Sequence, residues 1–213
     1  MNKIKKRYNR IARIYDVLDY PMEKGFSRWR RELLSEAEGD VLEIGIGTGK
    51  NIAYYPENVN LTGIDFSEKM IEIARRKAKD RDHVRLMVMD AENLDFDGDA
   101  FDTVVTFCVF CSVPDPVRGM KEMKRVCRKD GKILMLEHVR SNKKVIGRMM
   151  DILNPVPLNI YGANINRRTY QNLLKAGFDP KYIQVEHIWY DIVKRIRIRN
   201  HRDSTFINEK PSY

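Results

Sequence analysis

Three glycines at alternate positions follow a short apolar run near residue 41. The stretch VLEIGIGTG contains Gly45, Gly47 and Gly49, and glycine lets a backbone lie directly against a ligand because it accepts positive φ and lacks a Cβ. Dinucleotide-binding domains use a similar turn, but their spacing is GxGxxG rather than GxGxG. Glu43, just before the turn, would repel a phosphate and could bond an amino group. The pattern therefore favours a ligand that is cationic or neutral at this point.

Two further acids follow the next apolar runs. Asp65 ends the run LTGID, 22 residues after Glu43, where a carboxylate can accept both hydroxyls of a ribose. Phe66 and Met70 then offer apolar surface to an adenine. The segment MDAE, at the end of the third apolar run, completes the expected nucleoside site. The Asp90 carboxylate could bond an adenine amino group, and the Ala91 amide could bond a ring nitrogen.

Short apolar runs alternate with helix-like segments, which predicts a doubly wound, Rossmann-like α/β domain. The predicted strands are Asp40–Gly45, Asn60–Asp65, Val84–Met89, Phe101–Phe107, Lys132–His138, Tyr182–Ile188 and Ile192–Arg199. No helix fits between the last two strands, so we expect a seven-stranded sheet whose last strand is antiparallel.

The helices predicted between these strands complete one domain over residues 1–199. They are Thr48–Tyr55, Ser67–Lys79, a short piece at Ala91–Leu94, Pro116–Arg128 and Arg167–Ala176. An amphipathic lid helix is expected within residues 1–36. Residues 200–213 are polar without periodicity, which predicts a loose tail.

Five segments arrive in order with the spacing of a known family. VLEIGIGTG, GIDFS, MDAENL, FDTVVTFCVFCSV and RVCRKDGKILMLEHV together resemble the motifs of class I methyltransferases over residues 8–185. The resemblance implies S-adenosylmethionine as cofactor, held by Gly45, Gly47, Asp65, Asp90 and Ala91. It further implies that Glu43 lies near the methionine end and Tyr15 in the lid. Cys108, which follows the fourth predicted strand, is also expected at the cofactor.

Methyl transfer from a sulfonium needs no enzyme nucleophile, but an amine, hydroxyl or carbon acceptor can need a base. His138, at the end of the fifth predicted strand, and Tyr15 are the candidates. Tyr8, Tyr20 and Asp16 could equally line the pocket. The three cysteines are too few for a zinc site or a disulfide framework, so no metal is expected.

Positive charge is concentrated at the start of the chain, where residues 1–31 hold ten basic and three acidic side chains. Apolar residues recur at helical spacing: Ile4, Tyr8, Ile11, Tyr15 and Leu18. Basic residues occupy another flank: Lys3, Lys6, Arg7, Arg10 and Arg13. Such a helix either closes over its own domain or lies on an anionic membrane. We expect a cytoplasmic protein that can associate with the inner face of the membrane. Many Lys, Arg and Glu residues with only two glutamines are typical of a thermophile's composition.

The acceptor stays open between several classes. The segment YNRIARIYD at Tyr8 resembles bacterial phosphatidylethanolamine N-methyltransferases and quinone-biosynthesis C-methyltransferases, whereas CSVPDP and EHV resemble membrane-associated thiol methyltransferase-like proteins. A phospholipid headgroup amine is the leading hypothesis, followed by a quinone ring carbon and a small hydrophobic thiol. A nucleic-acid acceptor is not expected, because Phe107-Cys-Val-Phe110 replaces the Asn/Asp-Pro-Pro-aromatic motif of many such enzymes. No obligate protein partner is predicted.

Overall fold

The computed structural model describes residues 2–18, 20–160 and 162–202. Within these residues the chain forms a seven-stranded sheet in the order β3-β2-β1-β4-β5-β7-β6, numbered along the chain. β1 to β5 pair in parallel, and β7 runs antiparallel to both β5 and β6. The predicted seven-stranded α/β fold with a reversed last strand is confirmed.

The elements lie as follows along the chain. They are α1 (Asn2–Leu18), α2 (Tyr20–Leu34), β1 (Asp40–Ile44), a 3-10 helix (Lys50–Tyr54), β2 (Asn60–Asp65), α3 (Glu68–Lys77), β3 (Val84–Val88), β4 (Phe101–Phe107), α4 (Pro116–Val126), β5 (Cys127–His138), α5 (Lys144–Leu153), α6 (Pro155–Ile160), α7 (Thr169–Lys175), a second 3-10 helix (Pro180–Tyr182), β6 (Ile183–Trp189) and β7 (Val193–Arg199).

The sheet core explains where a ligand can bind. β1, β4 and β5 are central strands, and apolar side chains on both faces are fully buried, for example Leu42, Val104 and Leu136. The strand order reverses between β1 and β4, so the helical connections leave on opposite sides there. In a doubly wound sheet this opens a crevice at the carboxyl ends of the two strands.

Two predicted helices are replaced by tighter structure. Instead of a helix at Thr48–Tyr55, a 3-10 helix begins after Gly49, whose left-handed backbone (φ +78°) is incompatible with a regular helix. Instead of a helical piece at Ala91–Leu94, the Asp90 side chain accepts a hydrogen bond from the Glu92 amide (2.9 Å), which holds a turn.

The connection between α4 and β5 also differs from the prediction. The helix ends at Val126, not Arg128, and Cys127 already pairs with Phe101 in the sheet. Cys127 is fully buried, which favours the extended backbone there over another helical turn. The strand therefore begins five residues before the predicted Lys132.

Residues 144–160 form two helices, α5 and α6, which were not predicted because prolines interrupt the helical periodicity of the sequence there. α5 ends at Leu153, and Pro155 starts α6, where its missing N–H costs no intrahelical bond. Gly147 is buried against the Ser141 carbonyl, with room for no side chain. The apolar sequence between Lys144 and Ile160, although interrupted by prolines, thus forms a pair of helices.

The predicted lid helix over residues 1–36 is divided into α1 and α2, and residue 19 lies outside the described residues. Pro21 falls in the first turn of α2, a position that tolerates proline and favours a new helix start. α2 is attached to the reversed strand β7 by the ion pair of Glu32 with Arg195 (3.0 Å), and Glu36, which follows α2, pairs with Arg197 (2.6 Å).

The first residues of the predicted tail are packed rather than loose. Asn200 is buried, and its amide donates to the carbonyls of Lys124 (3.0 Å), Cys127 (2.7 Å) and Arg128 (3.1 Å). His201 pairs with Asp130 at 2.8 Å. The prediction of a tail starting at residue 200 is therefore wrong for residues 200–202, while residues 203–213 lie outside the described part of the chain. Within the described part, no helix is both long and apolar enough to cross a bilayer.

Candidate functional site

A cleft of two connected chambers opens at the carboxyl ends of β1, β2 and β4. We call the first the Asp65 chamber and the second the Glu43 chamber, after an acid that lines each of them. Their shared walls are Tyr15, Gly45, Gly47, Phe107 and Cys108.

The glycine turn shapes the floor between the chambers. Gly45 and Gly47 have φ of +72° and +56°, and a Cβ on Gly45 would lie 2.5 Å from Val109 Cγ2. A Cβ on Gly47 would meet no protein atom, so that position faces open cleft. Gly49 lines neither chamber; a Cβ there would come within 3.0 Å of Ala74 Cβ on α3. The structure therefore gives Gly49 a packing role, in contrast to the cofactor contact expected.

Asp65 is the acid best placed for a ribose. Its carboxylate accepts hydrogen bonds from the amides of Gly47 (3.1 Å) and Ser67 (2.8 Å), which fix both oxygens at the chamber wall. Burial raises the pKa of Asp65 to about 6. Each carboxylate oxygen keeps a further lone pair, so two hydroxyls can still be accepted.

The remaining expected adenosine residues line the same chamber. They are Phe66, Met70, Asp90 and Ala91. Met70 is buried, and the ring of Tyr8 from α1 meets Phe66 edge to face with centroids 5.4 Å apart. Aromatic and thioether surface beside two acids suits a flat heterocycle attached to a sugar.

Glu43 occupies the second chamber but is already bonded within the protein. Asn51 Nδ2 donates to one oxygen (2.5 Å) and Tyr55 Oη to the other (2.9 Å). Burial raises the pKa of Glu43 to about 7. Asn51 also lines the chamber, and its buried Oδ1 has no hydrogen-bond partner in the described structure, so one acceptor beside Glu43 is left unused.

Two cations complete the Glu43 chamber. Arg30 of α2 is 4% exposed, with its guanidinium 4.6 Å from the Phe107 ring centroid, and Lys50 also lines the chamber. Cations together with an unpaired carbonyl oxygen complement an amino-acid zwitterion, whose carboxylate and ammonium need opposite partners. A pyrophosphate would find Glu43 in the same chamber. This charge pattern agrees with the ligand class that the glycine spacing favours.

The junction of the chambers holds two further residues expected from sequence. Cys108 follows β4 with a left-handed backbone, φ +55°, and its amide donates to the Leu136 carbonyl (2.7 Å). Tyr15 of α1 lies at the same junction, with Lys50 Nζ 5.9 Å from its ring centroid. Both residues are therefore placed where the two parts of a ligand would meet.

One wall of the Asp65 chamber combines apolar residues with a hydroxyl pair. Ile4, Val113 and Pro114 line it, and the Tyr8 and Ser112 hydroxyl oxygens are 2.7 Å apart. Burial, with a contribution from Cys111, raises the pKa of Tyr8 above its ordinary value, so the phenol stays neutral at pH 7.

His138 does not belong to this cleft. It lines neither chamber, and burial lowers the pKa of its imidazole. The other candidate residues have different positions. Tyr15 lies in the cleft, whereas the side chains of Asp16 and Tyr20 lie outside the described part of the structure. Of the two candidate bases, Tyr15 lines both chambers and His138 lines neither, while Tyr8, expected to line the pocket, lines the Asp65 chamber.

Sequence reasoning missed Arg30, Asn51 and Ser112. Arg30 was counted with the membrane-facing charge of residues 1–31, but it is buried at the cleft. Asn51 comes eight residues after Glu43, and a polar residue that close to the turn was a usable signal. Ser112 lies within the motif CSVPDP, which indicated a resemblance to thiol methyltransferase-like proteins but no role for its serine.

Comparison with known proteins bears directly on this cleft. The methyltransferase domain family matches residues 42–135, which include the glycine turn, Asp65, Asp90 and Cys108. A phosphatidylethanolamine N-methyltransferase of Cereibacter sphaeroides is 37% identical over 146 residues, covering 67% of this chain and 71% of the relative. The chain belongs to the class I S-adenosylmethionine-dependent methyltransferases.

Other matches place this methyltransferase within a broader group. A ubiquinone/menaquinone biosynthesis C-methyltransferase of Citrifermentans bemidjiense is 35% identical over 147 residues, which are 63% of either protein. The chain thus spans less than two thirds of that relative. A solved structure of a putative S-adenosylmethionine-dependent methyltransferase from Methanococcus maripaludis shares the fold, with a TM-score of 0.67 at 19% identity over 94% of this chain and 95% of that one.

The cofactor of this methyltransferase is S-adenosylmethionine, and the cleft suits it. The glycine floor offers space, and the Asp65 carboxylate offers two oxygens that can accept hydrogen bonds from a diol. The family alone does not specify the methyl acceptor, because close relatives methylate nitrogen in one case and carbon in the other, as their names state.

Proposed function

We propose that the adenosine lies in the Asp65 chamber and the methionine part in the Glu43 chamber. Asp65 accepts the ribose hydroxyls, Asp90 and the Ala91 amide meet the adenine, and Phe66 and Met70 cover its faces. Asn51 Oδ1 accepts the ammonium, with Arg30 and Lys50 near the carboxylate. When bound, the cofactor supplies an electrophilic methyl group on a sulfonium; the chain's own residues hold and align the acceptor and exclude water.

We propose further that the acceptor is the amine of a phospholipid headgroup. The observation that carries this is that three apolar side chains, Ile4, Val113 and Pro114, line the Asp65 chamber together with the Tyr8–Ser112 hydroxyl pair, so that the adenosine and the reacting group of the acceptor would share this chamber. Such a lining fits an acceptor with an apolar body and one polar reacting group. The 37% identity to a phosphatidylethanolamine N-methyltransferase supports the same choice.

The hydroxyl pair orients the amine rather than deprotonating it. The headgroup ammonium first loses a proton to solvent and enters the cleft as the free amine. Because the pKa of Tyr8 is raised, its oxygen stays a neutral phenol that accepts one N–H of this amine and donates its own O–H to Ser112 Oγ, and the methylated product carries the positive charge away as an ammonium. The amine lone pair is then free to point along the line of transfer. A quinone ring carbon is the second candidate, supported by the 35% identity to a C-methyltransferase, and a small thiol is the third.

We also propose that residues 1–31 help to bring the enzyme to an anionic lipid surface. Lys6 and Arg10 are exposed on α1 and remain available for this. Two other cations of the segment are used elsewhere: Arg7 donates to the Leu158 carbonyl (2.6 Å), and Arg30 lines the cleft. The side chains of Lys3 and Arg13 lie outside the described part.

The acceptor is tested with labelled S-adenosylmethionine and a panel of acceptors. We expect label in phosphatidylethanolamine presented in vesicles, with mass analysis showing the mass of one or more added methyl groups on the headgroup. Label found solely in a prenylated quinol or in an alkyl thiol would overturn the headgroup proposal and establish the second or third candidate.

The same assay tests the hydroxyl pair. Tyr8→Phe keeps the ring against Phe66 but removes the hydroxyl. The amine nitrogen becomes positively charged as the methyl group is transferred, so kcat/KM for the lipid should fall about 10- to 100-fold, the scale of one hydrogen bond to a charged group. Tyr182→Phe is the matched control, because Tyr182 stacks on His201 away from the cleft. Equal kcat/KM for the Tyr8 variant and the wild type would remove the pair from acceptor binding.

A further inference from the structure

α5 and α6 expose an unusual amount of apolar surface. Val145 is 73% exposed and Ile152 is 70% exposed, although both side chains are aliphatic. The same helices add further exposed apolar side chains: Ile146, Met149, Leu153, Val156 and Ile160. A contiguous apolar surface of this kind on a folded domain marks a surface that another apolar phase covers.

The charge around these side chains is positive. Lys143, Lys144 and Arg148 are exposed on the same segment, and none of them forms an ion pair within the described residues. The acid of α5, Asp151, is neutralised by Arg140 at 2.8 Å, which lowers the pKa of Asp151 to about 2. The surface thus combines apolar side chains with unpaired cations.

Two aromatic residues adjoin the start of α5. Trp189 and Tyr190, at the tip of the β6–β7 hairpin, are 46% and 76% exposed. The hairpin is held there by Asp191, whose carboxylate accepts from the Asn142 amide (2.5 Å) and the Ser141 hydroxyl (3.1 Å). Tryptophan and tyrosine favour the boundary between water and lipid, because their rings are apolar and their N–H and O–H groups are polar.

The same region is connected to the entrance of the cleft. Arg7 of α1 donates to the Leu158 carbonyl of α6 at 2.6 Å, and Gly162 packs on Ile4, whose Cγ2 would lie 3.3 Å from a Cβ placed there. Ile4 also lines the Asp65 chamber. An acceptor leaving a lipid layer at α6 would therefore meet α1 and the apolar wall of the chamber.

We propose that α5, α6 and the β6–β7 hairpin tip form a docking face that inserts its apolar side chains into the headgroup boundary of an anionic bilayer. This inference rests on the proposed function, since it supplies the route by which a phospholipid reaches the cleft. A second copy of the chain is a poorer occupant. In a two-fold interface the same patch meets itself, which would place Lys143, Lys144 and Arg148 of both copies against one another.

Tryptophan fluorescence tests insertion directly. The chain has two tryptophans, so Trp29→Phe leaves Trp189 as the single reporter. We expect vesicles of phosphatidylcholine and phosphatidylglycerol to shift Trp189 emission to the blue, and brominated acyl chains to quench it. Emission that neither shifts nor is quenched, in the presence of vesicles that sediment with the protein, would overturn the proposed docking face.

Matched variants test the apolar side chains and the cations separately. Replacing Val145, Ile152 and Val156 with serine should lower the vesicle partition coefficient at least about tenfold, because the changes remove apolar surface that would enter the lipid. All three side chains are exposed, so the core stays unchanged. Leu174→Ser, at a 39% exposed residue on α7, is the control and should leave it unchanged. Lys144→Glu with Arg148→Glu should act like high salt, whereas exposed Lys121→Glu on α4 should not.

The outcomes separate the docking face from the proposed acceptor. If the triple serine variant binds vesicles like the wild type, or if sedimentation without lipid shows a dimer that this variant dissolves, the face does not dock lipid. A short-chain phosphatidylethanolamine below its micellar concentration tests the acceptor alone. We expect the triple variant to methylate this short-chain lipid at the wild-type rate and to lose activity on vesicles. If neither the variant nor the wild type methylates the short-chain lipid, the headgroup proposal is contradicted, whereas the docking measurement still stands.

Discussion

Replacing Asp65 with alanine is expected to raise the dissociation constant for S-adenosylhomocysteine by a factor of about 10 to 150. This corresponds to about 1.5–3 kcal/mol, the usual cost of losing hydrogen bonds to a charged group. Asp65 is the acid that the Gly47 and Ser67 amides fix at the chamber wall, so no neighbouring acid can take over. Calorimetric titration measures the change.

A control variant separates binding from folding in this prediction. Asp95→Ala removes an exposed acid outside the chambers and should leave affinity unchanged. Urea unfolding of both variants shows whether the Asp65 variant retains its fold. An unchanged dissociation constant in a folded Asp65→Ala protein would remove Asp65 from the ribose site.

Glu137→Gln is expected to stabilise the protein at pH 8 by about 1–3 kcal/mol. Glu137 is fully buried in β5, where Oε1 accepts from the Thr106 hydroxyl (2.8 Å) and the Val109 amide (3.3 Å), while Oε2 has no partner in the described structure. Burial raises the pKa of Glu137 to about 7. A glutamine keeps the Oε1 acceptor and removes the charge.

The direction of the pH dependence follows from that shift. In the unfolded chain Glu137 ionises near pH 4.5, but in the folded protein it keeps its proton up to about pH 7. The folded state therefore binds more protons between these values, and the free energy of unfolding falls as pH rises from 4.5 through 7, by up to about 3 kcal/mol. The glutamine variant lacks this loss.

Urea unfolding at pH 5 and pH 8 checks this prediction. The difference between wild type and Glu137→Gln should appear at pH 8 and shrink toward pH 5. Glu122→Gln serves as the opposite case, because the bond to Arg125 lowers the pKa of Glu122, and its replacement should destabilise at pH 8. A Glu137 variant less stable than wild type at pH 8 would show that the buried group is bound as a carboxylate.

The sheet and its acids were predictable because they depend on local sequence. Apolar runs ending in Glu43 and Asp65 define strand ends, and parallel strands bring those ends to one edge. The alternating glycines indicated a turn that accepts positive φ, and Gly45 and Gly47 have it.

Features that depend on tertiary contacts were not predictable in this way. Arg30 reaches the cleft because α2 packs beside the glycine turn, and Asn51 because a 3-10 helix folds back onto Glu43. Asn200 is buried because three carbonyls of the α4–β5 connection surround its amide. Periodicity carries no information about such long-range partners, which is also why His138 looked closer to the site than it is.

Calorimetric titration of the wild-type protein with S-adenosylhomocysteine and, separately, with NAD tests the central claim most directly. The Glu43 chamber has partners for both charges of an amino acid, and Asp65 can accept ribose hydroxyls, so we expect one site that binds S-adenosylhomocysteine. We expect no heat from NAD, because its pyrophosphate would lie against Glu43. Tight binding of NAD with none for S-adenosylhomocysteine would contradict the account.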